Sequence, residues 1–323
     1  MNAFLHALSK KVYQSSSILV LHPQTRARFK RIVVALLDWH EENQRSFIWR
    51  DLRRSPYVVL VSEYMLQQTG AKQVEKRLPE FLKQFPSVKA LAKATRPEVL
   101  RAWYGLGYNR RALNLHAAAK ALATKKQFPK TVRELRALPG IGQYTASAIL
   151  SFAYNEDTPV VDVNIERVLS RLWKKMPDVN AKLPMKAIDQ LDAEILPKGR
   201  SSAWHEALMD HGSTICTKKA PKCDVCPVNK LCPSRGVGNR IIKNTSSSEK
   251  LYFGQPRRIW RGRILQTVSQ RDIITAKALA QILISEYDID DRSFSEFVTD
   301  ILSVLEREGF VTHTKNGYSL AHG

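Results

Sequence analysis

All four cysteines of this 323-residue chain fall within seventeen residues, Cys216, Cys223, Cys226 and Cys232, in the spacing C-x6-C-x2-C-x5-C. Random placement would scatter them. Four thiolates this close in sequence oblige the segment to fold back around one centre, because soft sulfur ligands suit zinc or an iron–sulfur cluster. Paired disulfides are a poorer alternative, since an intracellular chain keeps its thiols reduced. Spacing alone leaves both zinc and iron–sulfur open. The loop between the first two cysteines, TKKAPK, adds Lys218, Lys219 and Lys222. Three lysines in six residues are either solvated charges or a contact for phosphate.

Charge favours the second reading. The chain carries 51 Lys and Arg against 30 Asp and Glu, a formal +21, with a pI near 9.9. Residues 251–323 hold nine of each sign, so the whole excess lies in the first 250. A basic body with a neutral tail suits a polyanion, most often nucleic acid, because each neutralised phosphate releases counterions. Hydrophobic residues at 44% and charged residues at 25% are ordinary for a packed protein. No run approaches the roughly 18 apolar residues of a membrane span. Lys10 and Lys11 interrupt the apolar residues of the N-terminus, so the order of a secretory signal is missing. A membrane partner is not expected; a cytoplasmic, nucleoid-associated location is.

Residues 26–233 read as helix after helix. RPEVLRAWYGL, NRRALNLHAAAKALATKK and YTASAILSFAY place apolar residues three and four apart. Ser55-Pro56 and Thr131 stand where helices start. No sustained alternation argues for a large sheet, so the fold class expected is all-α. Residues 234–258 turn polar and read as a linker. Residues 259–323 look like three amphipathic helices followed by a hairpin with Asn316-Gly317 at its turn. That order resembles a small winged-helix domain.

Three further segments carry chemistry. In LPGIGQYTASAI, Gly140 and Gly142 flank one apolar residue between helical stretches, permitting a tight hairpin and a helix start that faces an anion. Twenty residues after Gly142, Asp162 lies between Val161 and Val163 at the head of VNIERVLSRLW. Read locally, Asp162 or Asn164 would be the N-cap of that helix. Glu63 lies inside SPYVVLVSEYMLQQTG, among Val61, Met65 and Leu66. On an exposed face it would be an ordinary surface charge. In apolar surroundings desolvation favours its protonated form, as a general acid requires.

Taken together, these segments resemble the MutY-type adenine DNA glycosylases of the helix-hairpin-helix (endonuclease III) superfamily. The cysteine spacing, the hairpin followed by the aspartate, Ser62-Glu63 with Met65-Leu66-Gln67-Gln68-Thr69, and Trp49-Arg50 with Trp103 and Gly105-Leu106-Gly107-Tyr108 occur in the family's order. The resemblance covers residues 26–233. It implies one 4Fe-4S cluster on the four cysteines of the loop 216–232, with Lys218, Lys219 and Lys222 against the DNA backbone. It implies that Glu63 protonates the departing adenine and that Asp162 stabilises positive charge at the deoxyribose C1′, with Asn164 orienting groups beside it. Gln67, Gln68 and Tyr108 would enter the base stack, and Gly140 and Gly142 would hold a phosphate. The partner implied is double-stranded DNA with a mismatched or damaged base, flipped out by a monomeric enzyme.

Several positions depart from the family pattern. Tyr144 stands where endonuclease III-type enzymes carry a catalytic lysine; without that amine no Schiff base forms, and the enzyme expected is monofunctional. In the base pocket, beside Arg50, Ala71 replaces a usual valine and Glu206 a usual glutamine, and Val163 follows Asp162 where glycine is common. Asn109 replaces a second tyrosine. The tail is too short and too helical for the Nudix-like domain with which such enzymes usually end. Adenine opposite guanine or 8-oxoguanine is the substrate expected; thymine or uracil opposite guanine is the alternative. A non-catalytic iron–sulfur DNA-binding regulator has no need for both Glu63 and Asp162.

Overall fold

A computed structural model describes residues 21–52, 55–237, 249–289 and 293–321. Most of the N-terminal segment read for a signal, and residues 238–248 of the expected linker, lie outside the described residues. The chain divides into two compact units, one of residues 1–56 with 142–244, the other of 57–141 with 245–323.

The first unit is helical. Helix α1 (Pro23–Asn43) starts on a proline, whose fixed φ suits a first helical position. It buries Phe29, Ile32, Val33, Leu36, Leu37 and His40 along one stripe. A short α2 (Ile48–Asp51) follows. Helices α9 (Gln143–Tyr154), α10 (Val163–Trp173), α11 (Met185–Ile195) and α12 (Ser201–Thr214) complete the unit. Helix α12 packs against α1, α9 and α10. Trp204, Leu208, Ile165, Leu169 and Ile188 fill the core between them.

A buried polar network crosses that core. His205 Nε2 lies 2.8 Å from Asp192 Oδ2 and its Nδ1 3.2 Å from Ser151 Oγ. The Trp204 indole and the Val160 amide donate to the same aspartate. The residue types are those of a hydrolase triad. Asp192, His205 and Ser151 are fully buried, however, and every bond is spent inside the protein. Such a satisfied network fixes structure; here it pins the backbone two residues before Asp162.

The second unit begins with α3 (Pro56–Leu66), in which Tyr57 and Val59–Met65 are all buried. Then come α4 (Ala71–Gln84), α5 (Val88–Lys93), α6 (Arg96–Ala102), α7 (Arg110–Ala123) and α8 (Val132–Arg136). Start signals read from sequence act as caps. The Thr131 hydroxyl accepts the Glu134 amide, and Thr95 with Glu98 forms a reciprocal capping box. Helix α7 packs on α5 and α6.

The C-terminal residues of this unit form α13 (Arg257–Ser269), α14 (Ala276–Tyr287), α15 (Phe294–Arg307) and the antiparallel hairpin β3 (Val311–Thr314) to β4 (Gly317–Leu320). A two-residue strand pair, β1 (Leu251–Tyr252) and β2 (Gln255–Pro256), precedes them inside the span read as linker. Its order is set by aromatic packing: Tyr252 stacks on Phe297, and Phe253 meets Phe294 edge-on. Trp260 fills the centre against Tyr287 and Phe294. The turn glycine is tightly constrained. Gly317 has φ +132°, and a Cβ there would lie 2.6 Å from the Ile274 carbonyl oxygen, across the Ile274–Tyr318 bridge. Gly317→Ala should destabilise this region by about 1–3 kcal/mol, the scale of a strained backbone position. A melt followed by tyrosine and tryptophan fluorescence measures the loss; an unchanged melting curve would contradict the geometry.

Candidate active site

In the second unit the site is built from the end of α3 and the loop between α6 and α7. Glu63 is 6% exposed, surrounded on its helix by buried Leu60, Val61, Tyr64 and Met65. The surface-charge reading of this residue does not hold. The neighbouring Tyr64 hydroxyl donates to the Pro139 carbonyl, tying the helix to the glycine hairpin. Burial pushes the Tyr64 phenol well above its ordinary pKa, so it remains a donor. Gly140 has φ +74°, and a Cβ there would meet Asn114 at 2.7 Å. Glycine is required at that position.

Gln68 and Tyr108, two of the residues that the family resemblance sends into a base stack, share an uncommon backbone. Both are non-glycine residues with positive φ, +56° and +47°. Gln68 is exposed and Tyr108 is 51% exposed. Strained backbone persists where surrounding structure over-determines it. The determinant is Arg111, which no sequence motif singled out. Its Nη1 donates to the carbonyls of Tyr64 and Met65, each at 2.9 Å, and to that of Gln67. Its Nη2 donates to Thr69 Oγ1 at 2.8 Å and to the carbonyls of Leu106 and Gly107, each at 3.0 Å. The guanidinium also stands 5.4 Å from the ring centres of Trp103 and Tyr108. One buried cation thus caps the end of α3, where helix carbonyls lack partners, and fastens the Tyr108 loop to it. Burial lowers its pKa to about 10, still charged at neutral pH. Gln67 is half-buried in the same turn, and Ala71 opens α4 just beyond it.

In the first unit Asp162 is the N-cap of α10. Its Oδ1 accepts the amides of Asn164 at 2.9 Å and Ile165 at 2.7 Å, and its Oδ2 the Asn164 side-chain amide at 2.8 Å. The N-cap reading is therefore correct as far as it goes, and it leaves the carboxylate in one orientation. Arg167, also missed in the sequence, donates to Asn164 Oδ1 at 2.8 Å, to the Gly212 carbonyl at 2.6 Å and to the Cys216 carbonyl at 2.9 Å. A Cβ on Gly212 would lie 2.8 Å from Asn164 Cβ, so the glycine permits that approach. Gly142 caps α9, with nothing within 4 Å of where its Cβ would be. Tyr144 is half-buried on the first turn of the same helix.

Arg50 on α2 forms a two-pronged ion pair with Asp210, at 2.8 and 3.0 Å, and lies 3.9 Å from Glu206. His40 Nε2 is 3.8 Å from the same glutamate. Glu206 is 5% exposed, so it is no surface charge.

All four thiols line one cavity with Arg171, His211 and Val237. Arg171 Nη1 lies 3.3 Å from Cys216 Sγ, His211 Nε2 3.3 Å from Cys226 Sγ, and the Gly236 amide 3.4 Å from Cys223 Sγ. Burial pushes Cys226 up to about 12 and Cys232 to about 11, and lowers His211 to about 4. Among the described residues no group of three or more His, Cys, Asp and Glu is placed to hold a single metal ion. Lys218, Lys219 and Lys222 are exposed, and Arg171 holds the carbonyls of Thr217 and Lys218 at 2.9 and 3.2 Å.

Comparison with known proteins places the chain in a family. The family model described as HhH-GPD superfamily base excision DNA repair protein matches residues 61–190. An adenine DNA glycosylase of Mycobacterium tuberculosis (strain ATCC 25618 / H37Rv) is 35% identical over 279 residues, 85% of this chain and 90% of that protein. One from Mycolicibacterium smegmatis is 35% identical over 88% of this chain and 94% of its own length. The solved structure of a thermostable thymine-DNA glycosylase matches with a TM-score of 0.60 at 27% identity, over 67% of this chain and 99% of that one. The chain is a member of the HhH-GPD superfamily of base excision DNA repair proteins. Within it the match runs nearly end to end with the adenine DNA glycosylases, and that is the family to which the chain belongs.

Arg111→Met keeps length and removes the donors, leaving the carbonyls at the end of α3 without a buried partner. At about 1–3 kcal/mol for each such group, the variant should lose several kcal/mol of stability in urea. A loss below about 1 kcal/mol would show that water replaces the guanidinium without cost.

Proposed function

We propose that the chain is a monofunctional DNA glycosylase that flips adenine mispaired with guanine or 8-oxoguanine out of duplex DNA and hydrolyses its N-glycosidic bond. Support comes above all from the contrast between two carboxyl groups: Glu63 buried in an apolar helix, Asp162 fixed by three N–H donors. As C1′–N bond electrons pass to the base, Glu63 supplies the proton that makes adenine a neutral leaving group. Asp162, held by Asn164, faces the positive charge left on the sugar, water supplies the hydroxyl that ends at C1′, and its remaining proton restores Glu63. Contrasting environments divide acid and anion roles in this way. Gln67, Gln68 and Tyr108 fill the vacated stack; Gly140, Gly142, Lys218, Lys219 and Lys222 contact phosphates. Arg50, Ala71 and Glu206 border the base. Such a protein acts as a monomer where DNA is, in the nucleoid-bearing cytoplasm; no helix of the described residues is long and apolar enough to cross a membrane.

The cysteine donor set fits one 4Fe-4S cluster. Each thiolate of such a cluster binds its own iron, so the four stand farther apart than ligands of one ion do, and the nearby N–H groups of Arg171 and Gly236 are suited to thiolate sulfur. The cluster, when bound, supplies positive charge that favours the buried thiolates and a fixed anchor for the lysine loop. In domain terms the reading is a glycosylase core over 26–233, a linker over 234–258 and a winged-helix-like domain over 259–323. The thymine/uracil reading retains support from Ala71 and Val163 and from the likeness to a thymine-DNA glycosylase.

The decisive assay is single-turnover excision from duplexes with A, T, U or C opposite G or 8-oxoguanine, followed by alkali. Glu63→Gln and Asp162→Asn should each slow adenine release by at least about a hundredfold, the scale of a positioned proton donor, with little change in mismatch binding. Thymine or uracil release that survives Glu63→Gln would instead establish the alternative substrate.

Two further outcomes follow from side chains in the site. Borohydride should trap no covalent enzyme–DNA adduct, because Tyr144 has no amine; efficient trapping would place another lysine at the sugar. Anaerobically purified protein should absorb broadly near about 400 nm and lose that band in Cys223→Ser. Stoichiometric zinc without iron would refute the cluster.

A further inference from the structure

The chain from Leu251 onward has no part in the chemistry above, yet it packs on residues 57–141 within one compact unit, α13 lying against α6. Two of its contacts share one kind of interaction. Arg101 Nη1, at the end of α6, donates to the carbonyl of Ser269, the last residue of α13, at 3.4 Å. Arg110 Nη2, at the start of α7, donates at 3.0 Å to the carbonyl of Glu308, the C-cap of α15. The Arg110 guanidinium also lies 5.2 Å from the centre of the Phe310 ring. Helix C-termini present unpaired carbonyls and partial negative charge, which guanidinium groups satisfy. Two arginines of the basic body therefore receive two helix ends. A tail with nine basic and nine acidic residues thus docks on the basic body through helix-end carbonyls.

The receiving end of the tail is itself tied back by hydrogen bonds. Gly309 leaves α15 at φ +73°, and the amides of Gly309 and Phe310 bond back to Glu306 and Leu305. Phe310 is fully buried. On the other side, Arg101 and Arg110 bracket the loop Trp103–Asn109, which presents Tyr108 in its left-handed conformation. Arg111 grips that loop from inside; the tail grips its two outer ends.

We propose that the C-terminal region is a brace for the Tyr108 loop, and that Arg101 and Arg110 are positioning residues through which it holds the exposed ring ready to enter a duplex. The proposal rests on reading Tyr108 as the residue that penetrates the stack. Hydrogen exchange on the full chain without DNA tests it independently of catalysis. Arg101→Gln with Arg110→Gln should speed amide exchange in residues 103–112 by roughly tenfold, a local opening, while α3 and α14 keep their protection. Arg110→Lys, which keeps the charge at the helix end but loses the planar stack on Phe310, should fall between. In complex with a duplex carrying 2-aminopurine beside the mismatch, unstacking should weaken in the same order. Unchanged exchange over 103–112, or acceleration spread evenly over the unit, overturns the brace. Should the unaltered chain release no base from any duplex while the local exchange effect persists, the glycosylase reading fails and the brace stands. If the double variant does not fold, Arg110→Gln alone gives the same readout.

Discussion

The Arg111 guanidinium is the point on which the second unit depends. A helix that ends inside a protein leaves carbonyls without partners, and each costs free energy unless a donor reaches it. Here one side chain supplies donors to the last turn of α3 and to the loop after α6, two segments far apart in sequence. Because the fork is planar and its donors fixed in direction, it sets the distance and tilt between the two segments at once. The positive φ of Gln68 and Tyr108 follows from that. Neither conformation is favoured locally; both are imposed. On the proposed reading, in which Gln68 and Tyr108 enter a stack of bases, holding them beforehand is a gain, since ordering them on contact would cost binding free energy.

The first unit solves an equivalent problem with a relay. Asp162 is held by amides of its own helix and by Asn164; Asn164 is held by Arg167; Arg167 is held by carbonyls of Gly212 and Cys216. The cysteine segment is thereby connected to the carboxylate through two hydrogen-bonded side chains, Arg167 and Asn164. On the proposed reading, whatever the four thiols bind acts at a distance by stiffening this relay, in addition to displaying lysines. The buried His205–Asp192 pair fixes the other side, through the Val160 amide.

Much of this was legible in the sequence, for reasons that differ by residue. Helical spacing and the Thr131 cap announced their elements because those signals are local. The cysteines announced a shared place because four thiols in seventeen residues have few other uses, and all four line one cavity. Glu63 was legible only in combination: an apolar helix around a glutamate is ambiguous until burial is known, and burial is a tertiary property. Arg111 and Arg167 were illegible. An arginine among 51 basic residues carries no mark distinguishing a solvated charge from a buried clamp, and their partners are mostly backbone carbonyls, which every residue has. The β1–β2 pair hid inside a polar stretch because two-residue strands leave no periodicity; aromatic packing around Trp260 creates them.

The two carboxyl groups show why position alone does not define such a site. Glu63 and Asp162 have the same functional group, and exchanging their side chains would change length by only one methylene. Their surroundings are not exchangeable. The Asp162 carboxylate reaches the amides at the start of α10 because a short side chain at an N-cap curls back onto its own helix; a glutamate there would carry its oxygens past Asn164 and Ile165. Glu63 sits on the third turn of a helix whose neighbours are apolar, where an aspartate would withdraw the carboxyl toward its own backbone. An acid that gives up a proton needs reach and a dry setting, whereas an anion that waits beside a cation needs fixed donors and no freedom to turn. The helix interior supplies the first and the helix start supplies the second. On the proposed reading, the division of labour is thus written in where each carboxyl lies along its helix.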